Sequence, residues 1–111
     1  MAKRKSPGPS AAIKDRLKRC RREIKKTGAN ALLVTNDVDF IYLAGFTGDE
    51  SAIMVTPREV VMISDSRYEE QISKECPWTK TYMRRGMLNP EIAKVCKDLK
   101  IKKLSIQPNH L

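Results

Sequence analysis

The sequence predicts an α/β fold: a three-layer domain with a mixed, mainly parallel five-stranded sheet. One observation is the order of the predicted elements, which is helix, strand, short helix, hairpin, helix, strand, helix, strand. A hairpin followed by alternating helices and strands is typical of a sheet that has both antiparallel and parallel pairs and helices on its faces. The other is residues 31–35, a short apolar run without alternation, which indicates a strand covered on both faces.

A basic segment precedes the first helix. Residues 1–9 combine Lys and Arg with Pro7, Gly8 and Pro9, which predicts a flexible basic tail. The domain itself is then expected to span residues 10–111, with Ser10 as the N-cap of a helix that ends at Gly28. Apolar residues recur on one face of that helix at spacings of three and four, namely Ile13, Leu17, Cys20 and Ile24.

A short helix and a hairpin follow the first strand. Asn36 or Asp37 can cap a helix over residues 38–44, and Gly45 is its expected stop. Two β-rich runs, residues 51–56 and 59–64, are joined by Pro57 and Arg58, which predicts an antiparallel hairpin.

The C-terminal half continues with alternating helices and strands. Ser66 and Glu69 have the spacing of a capping box and predict a helix start there. Asn89 and Pro90 predict another, with Asn89 as the N-cap. The strands expected beside these helices are residues 78–83 and residues 103–107, the second closed by Pro108.

The net charge of +9 is concentrated at the N-terminus. Residues 1–28 hold 11 Lys and Arg against Asp15 and Glu23, and the other 83 residues are balanced. This pattern leaves open an alternative hypothesis, a stand-alone adaptor that binds nucleic acid or an acidic partner through its basic N-terminal helix. The helix has no aromatic residue for base stacking, so a solvated face is favoured and nucleic acid binding is not expected.

The residues that carry catalysis or bind metals are too few to build an active site. The single histidine, His110, lies next to the C-terminus, so a nucleophile has no nearby imidazole base and a metal has few ligands. Three cysteines, Cys20, Cys76 and Cys96, lack CxxC spacing and are expected to be free and inert. We therefore expect no catalytic residue, metal site or cofactor in this chain. No apolar run approaches a membrane span or a signal peptide, so we expect a cytoplasmic protein without membrane contact.

Two motifs flank the hairpin, NDVDFIYLAGFTG before it and DSRYEEQ after it. Together they resemble the creatinase/prolidase-type N-terminal domain found in Xaa-Pro aminopeptidases and Xaa-Pro dipeptidases. The resemblance covers roughly residues 13–111. The matching residues are Asn36, Tyr42, Leu43, Gly45, Phe46, Thr47, Gly48, Asp65, Arg67, Tyr68 and Gln71.

The resemblance implies a ribonuclease-H-like fold and a function. A domain of this kind is the N-terminal partner of a "pita-bread" metallopeptidase domain, which cleaves beside proline with divalent metal (manganese, cobalt or zinc) held by its own Asp, His and Glu residues. The catalytic domain is expected to be absent from this chain, which is also expected to be truncated at its own C-terminal end. It is therefore expected to be non-catalytic, with proline-containing peptide bound only by the full enzyme.

The resemblance also implies roles for particular residues. The N-terminal domain of this family helps to build a homodimer and lends a loop to the active-site rim. The positions that correspond to this rim or dimer loop are Asn36, Asp37, Asp39, Tyr42 and Phe46. Structural roles are implied for Gly45, Gly48, Asp65, Arg67 and Tyr68, with Arg67 expected to pair with Asp65 or Asp37.

Overall fold

A computed structural model describes residues 8–106 of the chain. The predictions for the start of the basic tail, for Pro108 and for His110 fall outside those residues. No helix within residues 8–106 is long and apolar enough to cross a membrane. The elements, in chain order, are α1 (Ala11–Thr27), β1 (Ala31–Val34), α2 (Asp37–Ala44), β2 (Ala52–Val55), β3 (Val60–Ser64), a 3-10 turn (Ser66–Tyr68), α3 (Glu69–Glu75), β4 (Lys80–Met83), α4 (Leu88–Asp98) and β5 (Leu104–Ile106).

The five strands form one mixed sheet in the order β4-β3-β2-β1-β5. The two outer pairs, β3 with β4 and β1 with β5, are parallel, whereas β2 is antiparallel to both of its neighbours. The predicted mixed five-stranded sheet is thus confirmed. Its parallel and antiparallel pairings are equal in number, because the hairpin β2–β3 occupies the middle of the sheet rather than one edge.

Helices cover both faces of the sheet and make three layers. On one face, α1, α2 and α3 pack against inward-pointing residues such as Leu32, Val34 and Ile53. On the other face, α4 contributes Ile92 and Val95 to a second cluster. Strand β1 is covered on both sides, as its continuous apolar run predicts.

Capping residues fix the first two helices as predicted. The Ser10 hydroxyl accepts a hydrogen bond from the Ile13 amide, and α1 ends at Gly28 in the left-handed conformation with φ 77°. Asn36 caps α2, and Gly45 ends it with φ 71°. Positive φ favours glycine at both ends because it has no Cβ to clash with the backbone.

Two predicted helix starts are wrong. The cap after β3 is Asp65, whose carboxylate accepts from the Arg67 amide and starts the 3-10 turn, so Ser66 and Glu69 make no capping box. Helix α4 begins at Leu88 with Met87 as its N-cap, two residues before the predicted cap Asn89. Pro90 is tolerated inside this first turn because amides there have no partner within the helix.

Candidate functional site

Charged side chains converge at one edge of the sheet, where β3 and β4 end. Asp65 follows β3 directly and Arg84 follows β4 directly. These parallel strands end at the same edge, so the two side chains are neighbours. Arg67 in the 3-10 turn and Glu50 in the loop before β2 complete what we call the aspartate–arginine cluster.

Asp65 is the centre of this cluster. Arg67 donates from Nε to Asp65 Oδ1 at 3.1 Å and from Nη2 to Oδ2 at 2.7 Å, a two-point contact. Arg84 Nη2 lies 3.1 Å from the same Oδ2. The hydrogen bonds from Arg67, with the charges of Arg67 and Arg84, hold the pKa of Asp65 below its usual range. A carboxylate whose pKa is lowered and whose oxygens are engaged in this way is a poor general base.

Arg84 joins three loops and is itself mostly buried. It donates from Nη1 to the Gly86 carbonyl at 2.7 Å and from Nη2 to the Glu50 carbonyl at 3.3 Å. Its Nε is buried and has no acceptor among residues 8–106. The sequence analysis missed Arg84, although a charged residue directly after a parallel strand was a usable signal. An open depression of about 560 Å³ lies beside the cluster.

The loop between α2 and β2 is tied to α3. The Thr47 amide and hydroxyl donate to the two carboxylate oxygens of Glu75 at 2.8 and 2.7 Å. Gln71 Nε2 donates to the Thr47 hydroxyl at 2.7 Å. Burial raises the pKa of Glu75, but the hydrogen bonds from Thr47 and Gln71 outweigh it and leave the pKa lowered. Glu75, which the sequence analysis also missed, therefore anchors this loop rather than facing a substrate.

Phe46 belongs to the core and not to an exposed rim. Its side chain is fully buried, with its ring centre 5.9 Å from that of Phe40 and 5.8 Å from that of Tyr68. The rim position implied for Phe46 is therefore not available to its side chain. Gly48 does not have a positive φ, and glycine is needed there because a Cβ would lie 2.2 Å from the Phe46 ring.

The other implied rim residues lie on α2 or at its cap. Asn36 Oδ1 accepts from the Asp39 amide at 2.9 Å, and Asn36 Nδ2 donates to Asp39 Oδ2. Asp39 is thereby buried, while Asn36 and Asp37 are exposed. The same helix exposes two large apolar side chains, Val38 at 70% and Ile41 at 51%.

Tyr42 is held against α1. Arg16 donates from Nη1 to the Tyr42 carbonyl at 3.0 Å, and its guanidinium lies 4.6 Å from the centre of the Tyr42 ring.

The structural roles implied for Arg67 and Tyr68 can be described from their contacts. Arg67 pairs with Asp65 and Glu50, so of its two expected partners, Asp65 and Asp37, Asp65 is the one used. Tyr68 packs against the core.

Residues able to ligate a metal are not grouped in the described part of the chain. Within residues 8–106, no three His, Cys, Asp or Glu side chains come together as metal ligands would. Cys20 and Cys76 are buried, and burial raises the pKa of each thiol to about 11. Neither is therefore activated as a nucleophile.

Comparison with known families and structures gives matches over most of the chain. The family model described as "Creatinase/Prolidase N-terminal domain" matches residues 16–111. A similar solved structure is the Xaa-Pro dipeptidase from Bacillus anthracis, with 29% identity and a TM-score of 0.80 over 89% of this chain and 28% of that one. The N-terminal domain of the cytoplasmic peptidase PepQ from Mycobacterium tuberculosis H37Rv has 27% identity and a TM-score of 0.73, covering 88% of this chain and 74% of that one.

A curated relative also matches, the uncharacterized peptidase YqhT of Bacillus subtilis (strain 168). It is 24% identical over 96 residues, which are 86% of this chain. The chain thus spans about a quarter of the relative's length, since the match covers 27% of YqhT.

Proposed function

Because the chain belongs to the creatinase/prolidase N-terminal domain family, we propose that it is the non-catalytic N-terminal domain of a proline-specific metallopeptidase. In that role it supports homodimerisation and forms part of the active-site rim. The similarity to an Xaa-Pro dipeptidase supports this proposal. A cytoplasmic location is part of it, supported by the similarity to the domain of a cytoplasmic peptidase.

The observation that carries the proposal is the outer surface of α2. Val38 and Ile41 are three residues apart, so they lie on one side of the helix, and both are exposed. The Asn36 cap and the Arg16–Tyr42 contact hold the ends of this helix. A rigid helix with exposed apolar side chains suits contact with a second protein surface better than contact with water.

The chemistry of peptide cleavage belongs to a separate domain in this proposal. Residues 8–106 provide no group of metal ligands, so the manganese, cobalt or zinc that such a reaction requires does not fit here. The parent activity is cleavage next to proline, by an aminopeptidase or a dipeptidase. We expect the purified 111-residue chain to cleave no Xaa-Pro dipeptide with any of the three metals.

A chimera tests the rim and dimer roles. This chain would replace the corresponding N-terminal domain of the Bacillus anthracis dipeptidase, and the chimera would be assayed for Xaa-Pro cleavage and for mass in solution. Val38→Asp with Ile41→Asp should weaken dimerisation or lower kcat/KM by about tenfold or more, because charges would replace the apolar contact. Met87→Asp is the matched control, since Met87 is 77% exposed but lies outside α2.

The outcomes separate the parts of the proposal. Cleavage by the isolated chain would contradict its non-catalytic role. A chimera in which the α2 double variant and the Met87 variant behave alike would contradict the dimer and rim roles.

A further inference from the structure

The proposed function leaves unused a basic depression beside the turn of the β2–β3 hairpin, which we call the hairpin groove. It has a volume of about 360 Å³ and is lined by α1, by the hairpin turn and by the segment that leads from α3 into β4. Its charged lining side chains are those of Lys14, Arg21, Arg58 and Lys80 and the single acid Glu59. Residues 1–7 hold three further basic residues and no acid, so they add to the positive charge of the chain.

The hairpin groove lies away from the end of β5. Strands β1, β3, β4 and β5 run in the same direction, so all four begin at the sheet edge that carries the hairpin turn and finish at the opposite edge. The last described residue, Ile106, is therefore at that opposite edge, on the strand furthest from β4. The walls that α1, the hairpin turn and the start of β4 provide are complete within residues 8–106.

The basic side chains of the groove differ in how far they are already paired. Arg21 donates to two carbonyls of the hairpin turn, at 2.7 and 3.3 Å. Lys80 Nζ lies 3.8 Å from the Glu59 carboxylate. Lys14 and Arg58 are exposed and form no ion pair within the part of the chain that the structure describes. Two cations of the groove are thus available to an anion.

The groove also contains Trp78, the single tryptophan of the chain. This residue lies between α3 and β4 and is partly buried against the core cluster that α1 covers. The absence of an aromatic residue from α1 argues against nucleic acid binding at the level of sequence, but the fold brings Trp78 beside the basic side of this helix. Aromatic rings that stack on bases and cations that meet phosphates are the two groups with which proteins bind single strands.

We propose that the hairpin groove binds single-stranded nucleic acid. An unpaired base would stack on Trp78, and the neighbouring phosphates would meet Lys14 and Arg58. A duplex is disfavoured because its bases are stacked on one another and offer no free face to the indole. An acidic peptide would pair with the cations but would leave Trp78 without a stacking partner, so the groove favours a single strand.

An oligonucleotide-binding experiment on the full 111-residue chain tests this assignment. The probe is a fluorescein-labelled oligo(dT) of about 12 nucleotides, followed by fluorescence anisotropy at about 50 mM salt. We expect binding that weakens as salt rises, and quenching of the Trp78 fluorescence as a base stacks on it. An abasic oligomer of the same length keeps the phosphates without the bases. It should bind at least about fivefold more weakly and leave the Trp78 fluorescence unchanged.

Two double variants with the same charge change locate the site. Lys14→Glu with Arg58→Glu should weaken oligo(dT) binding by about tenfold or more. Lys94→Glu with Lys97→Glu reverses two exposed charges on α4, which covers the other face of the sheet, and should change affinity by less than about threefold. Trp78→Leu keeps an apolar side chain against the core and should weaken binding by at least about fivefold; circular dichroism would check its fold.

Several outcomes would overturn the proposal. Equal weakening by the two charge-reversal variants would mean general attraction to a basic protein. Equal binding of the oligo(dT) and the abasic oligomer, unquenched Trp78 fluorescence, or unchanged binding by a folded Trp78→Leu variant would exclude stacking. A duplex that binds as tightly as the single strand would contradict the preference for unpaired bases. Absence of oligonucleotide binding, with a poly-glutamate peptide binding instead, would assign the groove to an acidic protein.

Discussion

At the scale of single residues, the contacts of Asp65 and of the Phe46 ring show that residues of a family motif can stabilise the fold rather than bind a substrate. Asp65 and Arg67 lie two residues apart and close the turn after β3 through the two-point contact. Gly48 lets the chain pass against the Phe46 ring. In both motifs, the matching side chains stabilise the loops that follow α2 and β3.

The first residue-scale prediction concerns Gly48. Gly48→Ala should lower the free energy of unfolding by about 1–3 kcal/mol, because the new methyl group would overlap the buried Phe46 ring, which packs against Phe40 and Tyr68 and has little room to move. Urea unfolding followed by circular dichroism measures the change. Gly86→Ala is the matched control: a Cβ there meets nothing within 4 Å, so the change should stay within about 0.5 kcal/mol. Equal effects of the two substitutions would contradict this explanation.

Prediction from sequence succeeded for residue types whose local chemistry is distinctive. Gly45 was correctly placed at the end of a helix, and Asn36 was one of the two cap candidates at its start, because capping roles depend on nearby backbone alone. Arg84 and Glu75 were missed because their partners, Asp65 and Thr47, are distant in sequence and come close only in the folded sheet. The motif residue Phe46 was placed on a rim because sequence does not show which way a side chain in a loop points.

At the scale of elements, α2 combines strong caps with an unusual surface. It has only eight residues, too few for an isolated helix to be stable in water. Its stability therefore depends on Phe40 and Leu43, which are fully buried, and on the hydrogen bonds at its ends. Those contacts hold the exposed Val38 and Ile41 in place for the proposed partner contact.

Removing the α2 cap gives the element-scale prediction. Asn36→Ala should lower the free energy of unfolding by about 1 kcal/mol, because the Asp39 amide loses its acceptor. Urea unfolding would measure this loss. Asn36→Ser keeps a side-chain oxygen at the cap position, so it should retain most of the stability. A serine variant as unstable as the alanine variant would show that the effect comes from the Asn36–Asp39 side-chain contact and not from capping.

The arrangement of the elements depends on contacts between residues that are distant in sequence, which local patterns do not show. Arg21 lies on α1, yet it donates to the Thr56 and Glu59 carbonyls at 2.7 and 3.3 Å and so fixes the hairpin turn. The order of strands is likewise a property of long-range pairing, and the sequence predicted the five strands but not their equal division between parallel and antiparallel pairs.

At the scale of the whole molecule, Cys20 and Cys76 are free cysteines buried in the hydrophobic cluster between the sheet and helices α1, α2 and α3. Their reactivity therefore measures how cooperatively this cluster unfolds. Cys20 comes from α1 and Cys76 follows α3, so they join opposite parts of the same helical layer. Each is shielded by core residues, and burial raises the pKa of both to about 11. Cys96 on α4 is only half-buried.

Thiol labelling should therefore distinguish unfolding of the whole domain from local opening of the α1–α3 layer. With a pKa of about 11, only about one thiol in a thousand is ionised at pH 8, against roughly a quarter for an unfolded cysteine. In an Ellman assay at that pH, Cys96 should react first, and Cys20 and Cys76 should react together at a rate that rises with urea as the domain unfolds. Cys96→Ser should remove the fast phase alone. Rapid reaction of all three thiols without urea would mean that the α1–α3 layer opens independently of the sheet.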